Sequence, residues 1–110
     1  MFYKKDESGF RDVLEGVRFK TLVFGDKTLL AEFRLAAGSA VPEHSHPHEQ
    51  TGYLISGHMT FHIEGEIHDA QAGDAWNIAG GIPHGVEVLE DSVVLEIFSP
   101  KREDYLPEKT

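Results

Sequence analysis

Apolar residues recur along this chain at intervals of two, the spacing of extended strands whose side chains alternate between faces. In "TLLAEFRLA" (28–36), Leu29, Ala31, Phe33 and Leu35 alternate with Leu30, Glu32 and Arg34. In "HMTFHIE" (58–64), Met59, Phe61 and Ile63 share one face, and His58, Thr60 and His62 share the other. The same pattern predicts strands at 19–24, 51–56, 74–79, 85–90 and 92–98, punctuated by "GDK", "AAGS", "EGE", "AGD" and "AGGIP" as turn signals. Helical spacing is confined to a weak turn at Phe10–Glu15. Many short, evenly spaced strands predict an all-β sandwich or barrel, in which closure would protect the sheet edges.

The length of 110 residues fits one domain, 1–110, with no repeat, linker or low-complexity tract. Nineteen acidic against ten basic residues give a net charge of -9, which argues against a phosphate backbone as partner and so against nucleic acid. No run approaches the roughly 18 apolar residues of a membrane span. The start, "MFYKKDESGF", is polar within three residues and lacks a signal-peptide stretch, and there is no cysteine. The expectation is a cytoplasmic protein that works without disulfides or thiolate metal sites.

Chemistry concentrates in "HSHPHEQTGYLISG" (44–57). His44 and His46 stand two apart, so on an extended chain they project to the same side. Gln50 follows at the mouth of a predicted strand, and His84 comes after "AGGIP", where a Gly pair and a Pro set a tight loop. Seven histidines in an acidic chain are ordinarily surface groups. A close His-x-His with a distant Gly-Gly-x-Pro-His points instead to two imidazoles from one strand edge, a third from a loop, and an oxygen donor. Three or four protein ligands with open positions suit a catalytic rather than a structural ion.

These residues resemble the two motifs of the cupins, small jelly-roll β-barrels. Gly38, five residues, His44 and His46, three residues, Gln50, six residues and Gly57 follow the first motif (38–57). Gly73, Ala79, Gly81 and His84 follow the second (73–88), with Ala79 where the pattern has Pro and Val88 where it has Asn. The resemblance implies a single-domain jelly-roll barrel (a double-stranded β-helix) that binds one divalent transition metal ion through His44, His46, Gln50 and His84. Gln50 replaces the usual Glu, so three imidazoles and an amide would leave the ion's charge for an anionic ligand. Glu49, one position away, would point to the opposite face. His48 is read as a rim residue whose tautomer a carboxylate or carbonyl would fix. Imidazole and amide donors suit Ni, Zn, Fe, Mn or Co. Cupins are commonly dimers, and "MFY" and "FKTLVF" read as strands that could exchange a sheet edge within a homodimer.

"SVVLEIFSPKREDYL" (92–106) places Glu96 among apolar residues, with Val94, Glu96 and Phe98 on one face. Alternation does not say whether that face lines the barrel or meets solvent. If it lines the barrel, burial would raise the carboxyl and a cation would lower it. Arg102, by spacing, is a natural salt-bridge partner of Glu103 or Asp104. The strand and tail, together with His-Pro-His-Glu-Gln, are similar to the KdgF subgroup of cupins, pectin-degradation proteins that linearise 4,5-unsaturated uronates. That similarity implies an active site that includes Glu96, Phe98 and Arg102, with Glu96 where the subgroup has Asp. Arg102 would fork onto the carboxylate of a small sugar acid, Phe98 would wall its ring, and Glu96 would protonate the double bond or activate water, so that a hemiketal opens to the 5-keto sugar. Two other classes are compatible: another metal-dependent cupin enzyme, such as a dioxygenase or isomerase, and a non-catalytic binding or sensing module. His58, His62, His68, Tyr53 and Trp76 are read as fold or rim residues.

Overall fold

The computed structural model describes residues 1–107, so the last three positions of the expected domain, 108–110, lie outside the described residues. Eight strands run in the order β1 (Arg11–Leu14), β2 (Val17–Phe24), β3 (Leu29–Leu35), β4 (Ala40–His44), β5 (Glu49–Ile63), β6 (Glu66–Gln71), β7 (Ala75–Ile78) and β8 (His84–Ser99). A 3-10 turn, Glu103–Tyr105, follows. Among the described residues no helix is long and apolar enough to cross a membrane. All the pairings are antiparallel, in the order β1-β2-β3-β8-β5-β6, with β4 added on β8 and β7 on β5. This is the expected all-β jelly roll.

Two long strands organise it. β5 runs through the predicted strand at 51–56 and through 58–63 of the stretch at 58–64, with Glu64 in the turn that follows, and β8 runs through both at 85–90 and 92–98. The sequence signal between the halves of β5 is Gly57, which bends the strand rather than ending it. Register shifts cluster between Leu54 and Met59, and Gly57 takes a φ of 108° against the Ser92 hydroxyl and the Asp91 carbonyl. Such a bulge redirects a strand and keeps its pairing on both sides. The first half of β5 therefore lies between β8 and β7, and the second half between β8 and β6.

Two expectations fail near the N-terminus. Phe10–Glu15 is not a helical turn: Arg11–Leu14 forms β1, which pairs with β2 across a tight hairpin. Gly16, at a φ of 78°, supplies the left-handed turn residue, and pairing with β2 satisfies backbone groups that a single isolated turn of helix would leave open. "MFY" is not a strand either, and Phe2 is 88% exposed. Three residues beside a lysine pair have too little apolar surface to hold themselves against a sheet.

Alternation places the core. Leu54, Met59, Phe61, Val88 and Val94 pack in one cluster, and Phe19, Leu29, Ala31 and Phe98 in another, with Phe33 touching both. Leu29 and Leu54 are wholly buried, each worth roughly 1.5–3 kcal/mol relative to exposure. A cavity of about 90 Å³ opens between the clusters, walled by Phe33, Met59 and Phe61 and bordered by polar groups.

Candidate metal centre and its cavity

The polar border is drawn from the ends of three strands. His44 closes β4 and pairs with His84, the first residue of β8. Gln50, the second residue of β5, pairs with Phe98 near the end of β8. His46 stands on the loop between β4 and β5, and that loop docks on the turn before β8. The Gly81 N–H donates to the His46 carbonyl at 2.8 Å, and a Cβ at Gly80 would overlap the Pro47 carbonyl oxygen. Gly80 is thus required for the close approach that brings His84 to His46.

The imidazoles converge. His44, His46 and His84 each offer a ring nitrogen, and these atoms all lie within 4.8 Å of one another. Their tautomers follow from their backbone partners. His44 Nδ1 lies 2.9 Å from the Pro42 carbonyl, His46 Nδ1 3.0 Å from that of His48, and His84 Nδ1 2.8 Å from that of Ile82. A carbonyl only accepts, so each Nδ1 carries the hydrogen and each Nε2 is left with a lone pair. Burial, the Arg102 charge and neighbouring His84 push His46 down to about 4, and burial also lowers His84.

These facts test whether a metal fits. His46 Nε2 faces Gln50 Oε1 at 2.8 Å, lone pair against lone pair once Nδ1 holds the hydrogen. Protonating His46 would relieve the clash, but its depressed pKa opposes that at neutral pH. A cation shared by the three Nε2 atoms and the amide oxygen relieves it directly, and Nδ1–H bonds to carbonyls are the usual way a ligating imidazole is oriented. The residues fit a divalent ion. Glu49 points away and accepts from Asn77 Nδ2 at 2.9 Å. His48 differs from expectation: its backbone carbonyl orients His46, while its own buried Nδ1 has no partner.

Glu96 faces inward and lines the same cavity as His44 and His84. It is 6% exposed, between Val94 and Phe98 on the buried face of β8. Burial pushes its carboxyl up to about 8, against the pull of the Trp76 N–H and the Gln50 amide. Oε1 accepts from Trp76 Nε1 at 3.0 Å, and Oε2 has no hydrogen-bond partner. Arg102 does pair with Asp104, Nε to Oδ1 at 3.2 Å and Nη2 to Oδ2 at 2.8 Å. It also borders the cavity, its guanidinium 4.0 Å from the Tyr105 ring centroid and 5.1 Å from that of Phe98.

The structure thus brings His44, His46, Gln50, His84, Glu96, Phe98 and Arg102 to one place. Sequence reasoning left out two neighbours, Trp76 behind Glu96 and Tyr105 on the cavity wall. Gly52, a glycine inside a strand pattern, was the available signal for Trp76, because such a glycine often marks a close approach. His58, His62 and His68 sit away from the cavity, beside Asp69, Glu87 and Glu66.

Comparison with known proteins agrees with this geometry. The cupin domain pattern matches residues 31–99. The pectin degradation protein KdgF of Dickeya dadantii is 32% identical over 107 residues, which cover 96% of this chain and 97% of that protein. The structure of KdgF from Halomonas sp. superposes with a TM-score of 0.91 at 30% identity, covering 96% of this chain and 98% of the other. An RmlC-like cupin from Shewanella frigidimarina superposes at 0.90 with 24% identity, covering 96% and 95%, a likeness of fold.

Proposed function

Because the chain belongs to the cupin family, we propose that it is a metal-dependent enzyme that linearises 4,5-unsaturated uronates to 5-keto sugars. The observation that carries this reading is Glu96, a buried carboxyl lining the cavity that Arg102 and the histidine cluster also border. Similarity to a pectin degradation protein supports an acidic sugar as the substrate class.

A divalent ion (Ni, Zn, Fe, Mn or Co) on His44, His46, His84 and Gln50 would supply Lewis acidity and a positive pole for an acidic ligand. Arg102 binds the substrate carboxylate through the N–H groups that Asp104 does not use. Phe98 and Phe33 wall the sugar ring and keep bulk water from it. Glu96, raised to about 8, holds its proton at neutral pH and is able to give it to C4 of the double bond. Positive charge then develops on C5 and the ring oxygen. The C1–O bond breaks as the anomeric hydroxyl becomes a carbonyl, leaving a C5 ketone. The hydroxyl's proton returns to Glu96, so the reaction is an isomerisation with no atom gained or lost.

The single domain 1–110 works in the cytoplasm as a homodimer in this reading. Exposed Tyr53, Ile55 and Ile97 on the outer faces of β5 and β8 support a second copy there, which light scattering reads. The test of function follows the ultraviolet absorbance of an unsaturated uronate. Absorbance is lost with the metal-loaded protein and persists after chelation. Full turnover by a metal-stripped sample overturns the reading.

A further inference from the structure

Behind Glu96 stands a side chain that this chemistry leaves idle. Three adjacent strands present one residue each in a single row. Glu96 of β8 pairs with Gly52 of β5, and Gly52 pairs in turn with Trp76 of β7. The outer members of such a row are separated by two strand spacings, about 9–10 Å. Trp76 crosses that distance because Gly52 has no side chain. A Cβ at Gly52 would overlap the indole nitrogen and lie 2.6 Å from Glu96 Oε2. Phe61 backs the indole, ring centroids 4.4 Å apart, and holds it over the glycine.

The direction of the resulting hydrogen bond distinguishes the two carboxyl oxygens. The indole N–H only donates, so Oε1 is the acceptor oxygen. When Glu96 is protonated, the acid hydrogen therefore sits on Oε2, the buried oxygen without a hydrogen-bond partner. Without the indole, Oε1 loses the donor that marks it as the acceptor, and the Gln50 amide is the polar neighbour left to the carboxyl.

Resting on the reading of Glu96 as the proton carrier, we propose that Trp76 is a positioning residue for the reaction, holding Oε1 as the acceptor so that the acid hydrogen is carried on Oε2. Gly52 is the opening that lets it reach. Trp76 touches neither substrate nor metal in this scheme and acts only through Glu96.

Trp76 is the sole tryptophan of the chain, so biosynthetic replacement of tryptophan alters this position alone. 3-Benzothienylalanine has the shape of tryptophan with sulfur in place of the N–H. In the metal-loaded protein, kcat on an unsaturated uronate falls about 10- to 100-fold while KM changes by less than about twofold. A merely structural role would leave that split absent and shift the thermal midpoint instead. The second measurement needs no turnover: the single indole N–H signal in a proton–nitrogen spectrum lies downfield in the wild type and moves upfield in Glu96→Ala. An unmoved signal, or an isostere with wild-type kcat, or one whose KM rises while kcat holds, overturns the proposal. Inactive Glu96→Gln beside a fully active isostere removes Trp76 alone. Full turnover by Glu96→Gln, or none by the wild type, removes the proton-carrier reading and the proposal with it.

Discussion

Glu96→Gln is expected to make the metal-free protein more stable while it removes turnover. A glutamate in the unfolded chain titrates near 4.5, and burial in the fold pushes Glu96 up to about 8. Between those values the native state binds more protons than the unfolded state, so native stability falls as pH rises through the window. Below it the carboxyl is neutral in both states and contributes no pH dependence. Each pH unit inside the window costs about 1.4 kcal/mol. The loss amounts to roughly 3 kcal/mol at neutral pH and approaches 5 kcal/mol above the folded value. The amide of Gln does not titrate and keeps nearly the same shape, so the variant escapes this loss. Urea unfolding of both proteins, stripped of metal, at about pH 5, 7 and 9 measures the gap. The variant's advantage grows from about 1 kcal/mol at the lowest pH to several at the highest. A wild type that holds its stability relative to the variant across that range refutes the account of Glu96 as a carboxyl kept neutral by burial. Turnover of the metal-loaded variant should fall about 10²- to 10⁴-fold, the usual worth of a positioned acid. A variant that is more stable and still fully active would show that the buried carboxyl serves no chemistry.

Three further outcomes follow from the site. His46, held down to about 4 by burial, Arg102 and His84, resists protons, so elemental analysis after dialysis at about pH 5.5 should find the ion still bound, although an ordinary imidazole near 6.5 would be mostly protonated there. Release of the metal at that pH contradicts the assignment of His46 as a ligand. Arg102→Lys keeps the charge and loses the planar fork, so KM for the uronate should rise about tenfold or more with a smaller change in kcat; an unchanged KM places the substrate carboxylate elsewhere. Gly52→Ala forces a methyl into the space shared by Trp76 and Glu96 and should cost about 1–3 kcal/mol in urea unfolding, with a shift in the emission of the single tryptophan. Unaltered emission would mean that the indole does not lie over position 52.

The alternation of apolar and polar residues was sufficient for the all-β class, since a period of two admits no other regular structure. It also separated Gln50 from Glu49, because neighbours on a strand face opposite ways. Gln50 is buried beside the imidazoles, and Glu49 is exposed on Asn77. Motif spacing selected His44, His46 and His84 from seven histidines, and the fold gathers those three. Alternation is blind, however, to which of two faces looks inward. That is decided when strands distant in sequence pair and a common interior forms, which is why Glu96 was ambiguous along the chain and is buried in the fold. Local signals also mislead where long-range pairing outweighs them, as Phe10–Glu15 became a hairpin strand and Gly57 a bend within β5. The hydrogen bond from Trp76 to Glu96 joins residues twenty apart, and nothing in either residue's own neighbourhood announces it. It exists because the registers of β7 and β8 on β5 meet at Gly52, and register is a property of assembled strands rather than of any one of them.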